Sequence, residues 1–297
     1  MQYIKLPEEV EFSRIVHGYW RLKEWNLSKS ELSRLINEMI DMGITTFDHA
    51  DIYGDYECEA LFGEAFDHSK RNKVQLVTKC GVKLASRKFP ERNLNIYDYS
   101  YDHIIQSAER SLKNLKTDHI DVLLFHRPSP FFDPHEVSKA VHDLKRSGKV
   151  LHFGVSNFTQ GQFEMLARHL DVKLVTNQVE ISPLCLEHFD NGNMDFFLKV
   201  GIHPMAWSPV AGGRIFRPKT SHELAVKEVI LETAAELGTD PDTAVYAWLL
   251  KHPSGIIPIV GSHRKERIKA AVDALDIDLS LEQWFRIFIA GWGKNLP

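Results

Sequence analysis

Eight short apolar or β-branched runs, set apart by segments of helical periodicity, constrain this chain more than any other feature. The runs lie at Arg14 to Trp20, Ile44 to Asp48, Val74 to Lys79, Ile120 to His126, Leu151 to Ser156, Leu174 to Gln178, Ile202 to Ser208 and Ile256 to Val260. Among the helical patterns Ser30 to Met42 is the clearest: Leu32, Leu35, Ile36, Met39 and Ile40 share one face, with Ser30 as the expected cap and Gly43 as the stop. The others are Ile104 to Leu115, His135 to Ser147, Gln160 to Leu170, Leu224 to Leu237 and Asp242 to Leu250. Strands that alternate with helices need crossover connections, which make a parallel sheet. Eight of them predict an α/β protein with a closed (β/α)8 TIM barrel; an open doubly wound sheet shares the local pattern. No linker or compositional break divides residues 1–297, so a single domain is expected. A final helix, Leu281 to Ala290, and the tail AGWGKNLP follow the eighth unit and are expected to cap one barrel end.

Composition narrows the function classes. With 17 Phe and 6 Trp the chain has enough large apolar side chains to form a core, which excludes disorder. The 36 basic and 40 acidic residues leave a net charge of −4 without a basic run, which argues against nucleic acid or an anionic membrane as partner. The opening MQYIKLPEEVEFSRIV does not resemble a signal peptide and no segment reads as a membrane span, so a cytoplasmic location is expected. Cys58, Cys80 and Cys185 are scattered and offer neither a disulfide framework nor a CxxC site.

Polar residues cluster where the predicted strands end. Asp48, Lys79, His126, Ser156 with Asn157, Asn177 with Gln178, and Ser208 each close an apolar run. In a parallel barrel all such ends open on one face, where active sites assemble. Lys79, inside VQLVTKCG, is costly to bury unless a carboxylate answers it, and Asp48 is the natural partner. Tyr53 follows five residues after Asp48, close enough for a loop to bring it over Lys79. A nearby ammonium favours phenolate, so the Tyr53 pKa is expected below its ordinary value near 10. Such a phenol can protonate a carbonyl oxygen, with His126 as second donor or orienting group. No side chain delivers hydride, so carbonyl reduction would require a nicotinamide cofactor. The chain lacks GxGxxG and GxxxxGKS/T, which leaves the barrel loops to hold it.

These residues, taken in order, resemble the aldo-keto reductase superfamily in its bacterial oxidoreductase branch. FDHADIYGDYECEALFGEA, with Glu59 and Gly63, is followed by VTKCG, LLFHRP, GVSNF, NQVEISP, AWSPVAGG and IPIVGS at family spacing. The resemblance implies a (β/α)8 barrel that binds extended NADPH, with Asp48, Tyr53, Lys79 and His126 as the catalytic four. It puts Ser156, Asn157 and Gln178 on the carboxamide, Trp207 against the nicotinamide face, and Gly18 and Tyr19 beneath the cofactor. Ser208, Pro209 and Gly212 match its pyrophosphate loop, and GSHRKER its 2′-phosphate segment, with Ser262 and Arg267 at phosphate positions and Arg264 adding charge. NADPH is therefore expected over NADH, no metal is expected, and a monomer is the family default. Gly261, Ala270 and Ala271 replace residues common in that segment.

The implied substrate is a small-molecule carbonyl compound, with Trp20 and His126 lining its pocket. Aromatic loop residues such as Trp25, Phe131, Phe132 and Trp292 suit apolar compounds or simple packing. His49 stands where the family has a small residue and fits either a pocket wall or the core; Arg127 suits an anionic substrate or a surface ion pair. Two other classes compete. Asp48, His49, Asp51 and His126 include metal-ligand types, as in a metal-dependent hydrolase. An NADPH-binding regulatory or redox-sensing protein of the same fold would share every motif.

Overall fold

The computed structural model describes residues 1–296, so Pro297 of the tail AGWGKNLP lies outside the described residues. A hairpin of Tyr3–Lys5 and Glu11–Ser13 opens the chain. Besides a second hairpin, Val82–Lys83 with Ile96–Tyr97, eight strands follow: β1 (Val16–Gly18), β2 (Thr46–Asp48), β3 (Gln75–Cys80), β4 (Ile120–Phe125), β5 (Val150–Ser156), β6 (Leu174–Glu180), β7 (Met205–Trp207) and β8 (Ile257–Val260). In this order they form a closed barrel, the (β/α)8 fold that the alternation predicts. β7 starts at Met205 rather than Ile202, because Pro204 just before it has no N–H to give a neighbouring strand.

The chain forms two compact units, Tyr3–Asn177 and a second made of Met1–Gln2 with Gln178 onward. In the first, parallel pairing sets Gly18 opposite Asp48, Asp48 opposite Val77, Lys79 opposite Leu124 and Phe125 opposite Val155. Successive side chains along a strand point to opposite faces. Asp48 and Lys79 meet on one face, while His17, Tyr19, Phe47 and His49 fall in an aromatic cluster with Phe62. Phe62 belongs to the helix Cys58–Ala65, too short to show a clear period in the sequence. Gly63 lets this helix approach the helix Tyr101–Leu115, since a Cβ there would come within 2.1 Å of the Asn114 carbonyl oxygen. The helix Lys29–Asp41 is capped by Ser28, not Ser30, because Ser28 and Glu31 bond each other's backbone as a capping box.

In the second unit the helices Ser221–Leu237, Pro241–Lys251, Lys265–Asp273 and Leu281–Trp292 pack on one another, and Pro241–Lys251 also packs on β8. The last runs to Trp292, two residues past the expected end. Trp248 and Trp284 stack with centroids 5.3 Å apart at 14°, and each indole N–H donates to the other residue's carbonyl, at 3.1 and 3.0 Å. The reciprocal pair joins the helix Pro241–Lys251 to the last helix. Among the described residues no helix is long and apolar enough to cross a membrane.

Candidate active site

The alternation that turns Tyr19 and His49 outward turns Lys79 toward Asp48. Both Asp48 oxygens accept from Lys79 Nζ at 2.8 Å, and the His49 carbonyl accepts at 2.6 Å. Lys79 is fully buried and Asp48 nearly so. Burial pushes the ammonium pKa down, but Asp48 and then Tyr53 push it up by more, so it ends above its ordinary value. A buried amine held this way stays charged across the neutral range.

Tyr53 completes the group, with Lys79 Nζ 3.1 Å from its hydroxyl and 4.9 Å from its ring centroid. Tyr53 as a residue is half-buried. Its pKa departs from the sequence expectation: burial raises it above 10, Lys79 pulls against that, and Asp48 adds to the rise. The correction has a plain cause, since the sequence indicates the ammonium but not how crowded the phenol is. Tyr53 therefore stays protonated at neutral pH, with the Lys79 ammonium in hydrogen-bond reach of its hydroxyl.

His126 follows β4 directly, its ring centroid 5.9 Å from that of Tyr53 at 80°. Its backbone N–H donates to the Cys80 carbonyl at 3.0 Å and its carbonyl accepts from Asn157 Nδ2 at 3.2 Å. Burial, then the charges of Lys79 and Arg127, hold the imidazole pKa well below 6.5, so it is neutral and keeps one N–H to donate. The next residue, Arg127, is fixed at both backbone ends by Tyr99, whose hydroxyl donates to its carbonyl at 2.5 Å and accepts from its N–H at 3.1 Å. Nothing in the sequence marks Tyr99 for this.

Not every expected residue joins this group. The Tyr19 ring is wholly buried and stacked on His49 at 4.8 Å, so only its backbone remains for a cofactor. His49 is a core residue of the same cluster, with a pKa held well below 6.5 by burial and Lys79. Asp51 turns away from Asp48 and His126 to pair with Arg110 at 2.8 Å, so the four residues of the metal reading do not converge. Trp20 is 57% exposed, with Arg21 over its ring at 5.2 Å. Ser156 is buried and accepts from Asn157 Nδ2 at 2.9 Å, with Asn157 at a φ of 61°.

In the second unit, Gln178 is buried and reaches Met205 Sδ at 3.8 Å, and Trp207 is half-buried at the end of β7. The chain beyond it takes positive φ at Ser208 (51°), Ala211 (51°), Gly212 (64°) and Gly213 (89°). The loop is wound on itself, the Ala211 N–H donating to the Ser208 carbonyl at 2.7 Å and the Gly213 N–H to the Val210 carbonyl at 2.8 Å. Ser262 accepts from the Arg264 N–H at 3.2 Å just before the helix Lys265–Asp273, where Arg264 and Arg267 are exposed. A helix N-terminus beside two guanidinium groups suits a phosphomonoester. That segment fits the phosphomonoester of a phosphorylated dinucleotide.

Comparison with known proteins agrees with this geometry. A model of the Aldo/keto reductase family matches residues 14–289. Oxidoreductase YdhF of Escherichia coli is 46% identical over 98% of this chain and 97% of its own. The 6-dehydroglucose reductase of Agrobacterium fabrum is 38% identical over 100% of both chains. Among solved structures, the thermostable aldo-keto reductase Tm1743, in complex with the inhibitor epalrestat, superposes with a TM-score of 0.81 at 25% identity, covering 98% of this chain and 100% of that one.

Proposed function

This chain belongs to the aldo/keto reductase family, an enzyme reducing carbonyl compounds, and on that premise we propose that it uses NADPH with Tyr53 as the general acid. The observation that carries this reading is the 3.1 Å contact between Lys79 Nζ and the Tyr53 hydroxyl, with Asp48 bonded to the same ammonium. Bound NADPH would supply the hydride to the carbonyl carbon. Tyr53 would give its proton to the oxygen as negative charge develops there, and Lys79 would stabilise the phenolate left behind. Asp48 keeps Lys79 charged throughout, and the neutral His126 would orient the carbonyl through an N–H.

Ser262, Arg264 and Arg267 support NADPH over NADH, because guanidinium groups at a helix N-terminus answer the 2′-phosphate that NADH lacks. The Ser208 to Gly213 loop, with positive φ at Ser208 and from Ala211 to Gly213, would hold the pyrophosphate. The name of the Agrobacterium fabrum relative makes 6-dehydroglucose one compound to test, beside simple aromatic aldehydes.

Tyr53→Phe tests the reading. NADPH should still bind, with its fluorescence changed as in wild type, while oxidation of bound NADPH by 4-nitrobenzaldehyde slows by roughly 10²- to 10⁴-fold. An unchanged rate removes Tyr53 from the role of acid.

A further inference from the structure

The loop that presents Tyr53 is held from behind by one side chain. Arg110, on the helix Tyr101–Leu115, donates from Nη2 to Asp51 Oδ2 at 2.8 Å and to Ser107 Oγ at 3.2 Å. Its guanidinium carbon also lies 5.4 Å from the Tyr56 ring centroid. Asp51 precedes Tyr53 by two residues and Tyr56 follows it by three, so the contacts fall on both flanks. The segment between them resists relaxation, with Gly54, Asp55 and Tyr56 at φ values of 59°, 59° and 65°. Non-glycine residues rarely hold that conformation unless their surroundings impose it. The Tyr56 hydroxyl is tied as well, accepting from Leu84 N at 2.9 Å and from Arg92 at 3.0 Å. Asp51 also donates its backbone N–H to the Lys79 carbonyl at 3.1 Å, joining the brace to the strand that carries the ammonium.

We propose that Arg110 and Asp51 are positioning residues, a brace behind the Tyr53 loop that keeps the phenol within hydrogen-bond reach of Lys79. The inference rests on Tyr53 as the acid. Asp51 is buried with its Oδ1 unpartnered among the described residues, and Arg110 supplies its one ion pair. The other groups that face it do not replace that pair. Glu59 on the helix Cys58–Ala65 repels it, the Cys80 thiol and the Tyr99 phenol are held neutral by burial, and Ser107 is uncharged. His103, one turn before Ser107, is pushed down to about 4, and His49 on the loop itself well below 6.5, so both are neutral. Burial first, then Glu59, raises the Asp51 carboxyl to about 7. The brace is therefore charged above that pH and loses its ion pair below it.

The test is single-turnover oxidation of NADPH by 4-nitrobenzaldehyde on the full chain, measured from pH 6 to pH 9, for wild type, Asp51→Asn, Arg110→Met and Arg110→Lys, with Tyr53→Phe as control. Asp51→Asn and Arg110→Met should lose roughly ten- to a hundredfold in rate at the alkaline end, the cost of a reacting group displaced by about an ångström. NADPH affinity should stay unchanged. Arg110→Lys, which keeps the charge, should recover part of the rate. Wild type should slow as pH falls through about 7, while Asp51→Asn should give a flat profile. Wild-type rates and profile in the two neutralising variants overturn the brace. So does a loss matched by weaker NADPH binding and a lower melting temperature, which would make the pair merely structural. Full activity in Tyr53→Phe would instead remove the reading on which the brace rests.

Discussion

Two ion pairs flank the same short loop and differ in how completely their charges are answered. Lys79 donates to both oxygens of Asp48, to a carbonyl and to a phenol. Asp51 has one guanidinium on one oxygen, with Ser107 helping to hold its charge and Glu59 adding repulsion. The difference shows in the titration: the fully answered amine is raised and stays charged, while the half-answered carboxyl is lifted to about 7. Burial alone therefore does not decide whether a group keeps its charge; the number and sign of its neighbours do.

The largest expected effect comes from breaking the complete pair. Lys79→Met leaves Asp48 as a buried carboxylate without its partner, and urea unfolding should show a loss of about 3–5 kcal/mol together with loss of turnover. Adding Asp48→Asn should restore much of the stability and none of the activity, separating the structural role of the pair from its chemistry.

The incomplete pair should make stability depend on pH near neutrality. A carboxyl whose folded pKa lies above its unfolded value near 3.8 binds protons preferentially in the folded state. Its stabilising contribution is complete below 3.8 and is lost as pH rises through about 7. Melting temperatures of wild type and Asp51→Asn across that window should show the variant with the flatter curve, its advantage growing toward pH 8. Parallel curves would mean that Asp51 is already ionised well below 7.

The smallest effect belongs to charges that are not buried at all. Arg264→Ala with Arg267→Ala removes two exposed guanidinium groups, and NADPH should bind about tenfold more weakly, the scale of a charge-assisted hydrogen bond. NADH affinity and melting temperature should not move. Equal weakening of both cofactors would take the two arginines out of 2′-phosphate recognition.

The barrel and the group around Lys79 could be read from the sequence because both follow from a local pattern. Strand periodicity fixes which residues face inward, and a lysine between apolar neighbours demands an acid. Tyr19 and His49 could have been placed by the same rule, since the period of two that turns Asp48 to one face sends them to the other. The cap was also available: Ser28 has Glu31 three residues later, whereas Ser30 has Ser33. What could not be read depends on contacts between distant segments. Asp51 and Arg110 lie 59 residues apart, against 26 for Tyr53 and Lys79. The Tyr53 pKa escaped for the same reason, since desolvation is a property of everything around the ring and not of the lysine alone.

The reciprocal indole pair, Trp248 with Trp284, also gives the molecule a built-in optical signal. Two parallel indoles at 5.3 Å couple their electronic transitions, so the folded chain should carry a split circular-dichroism band that neither tryptophan produces alone. Because one indole sits on the last helix, that band reports the docking of the chain's end separately from the chemistry around Tyr53. Its disappearance ahead of the far-ultraviolet helix signal during heating would identify that helix as the first part to leave.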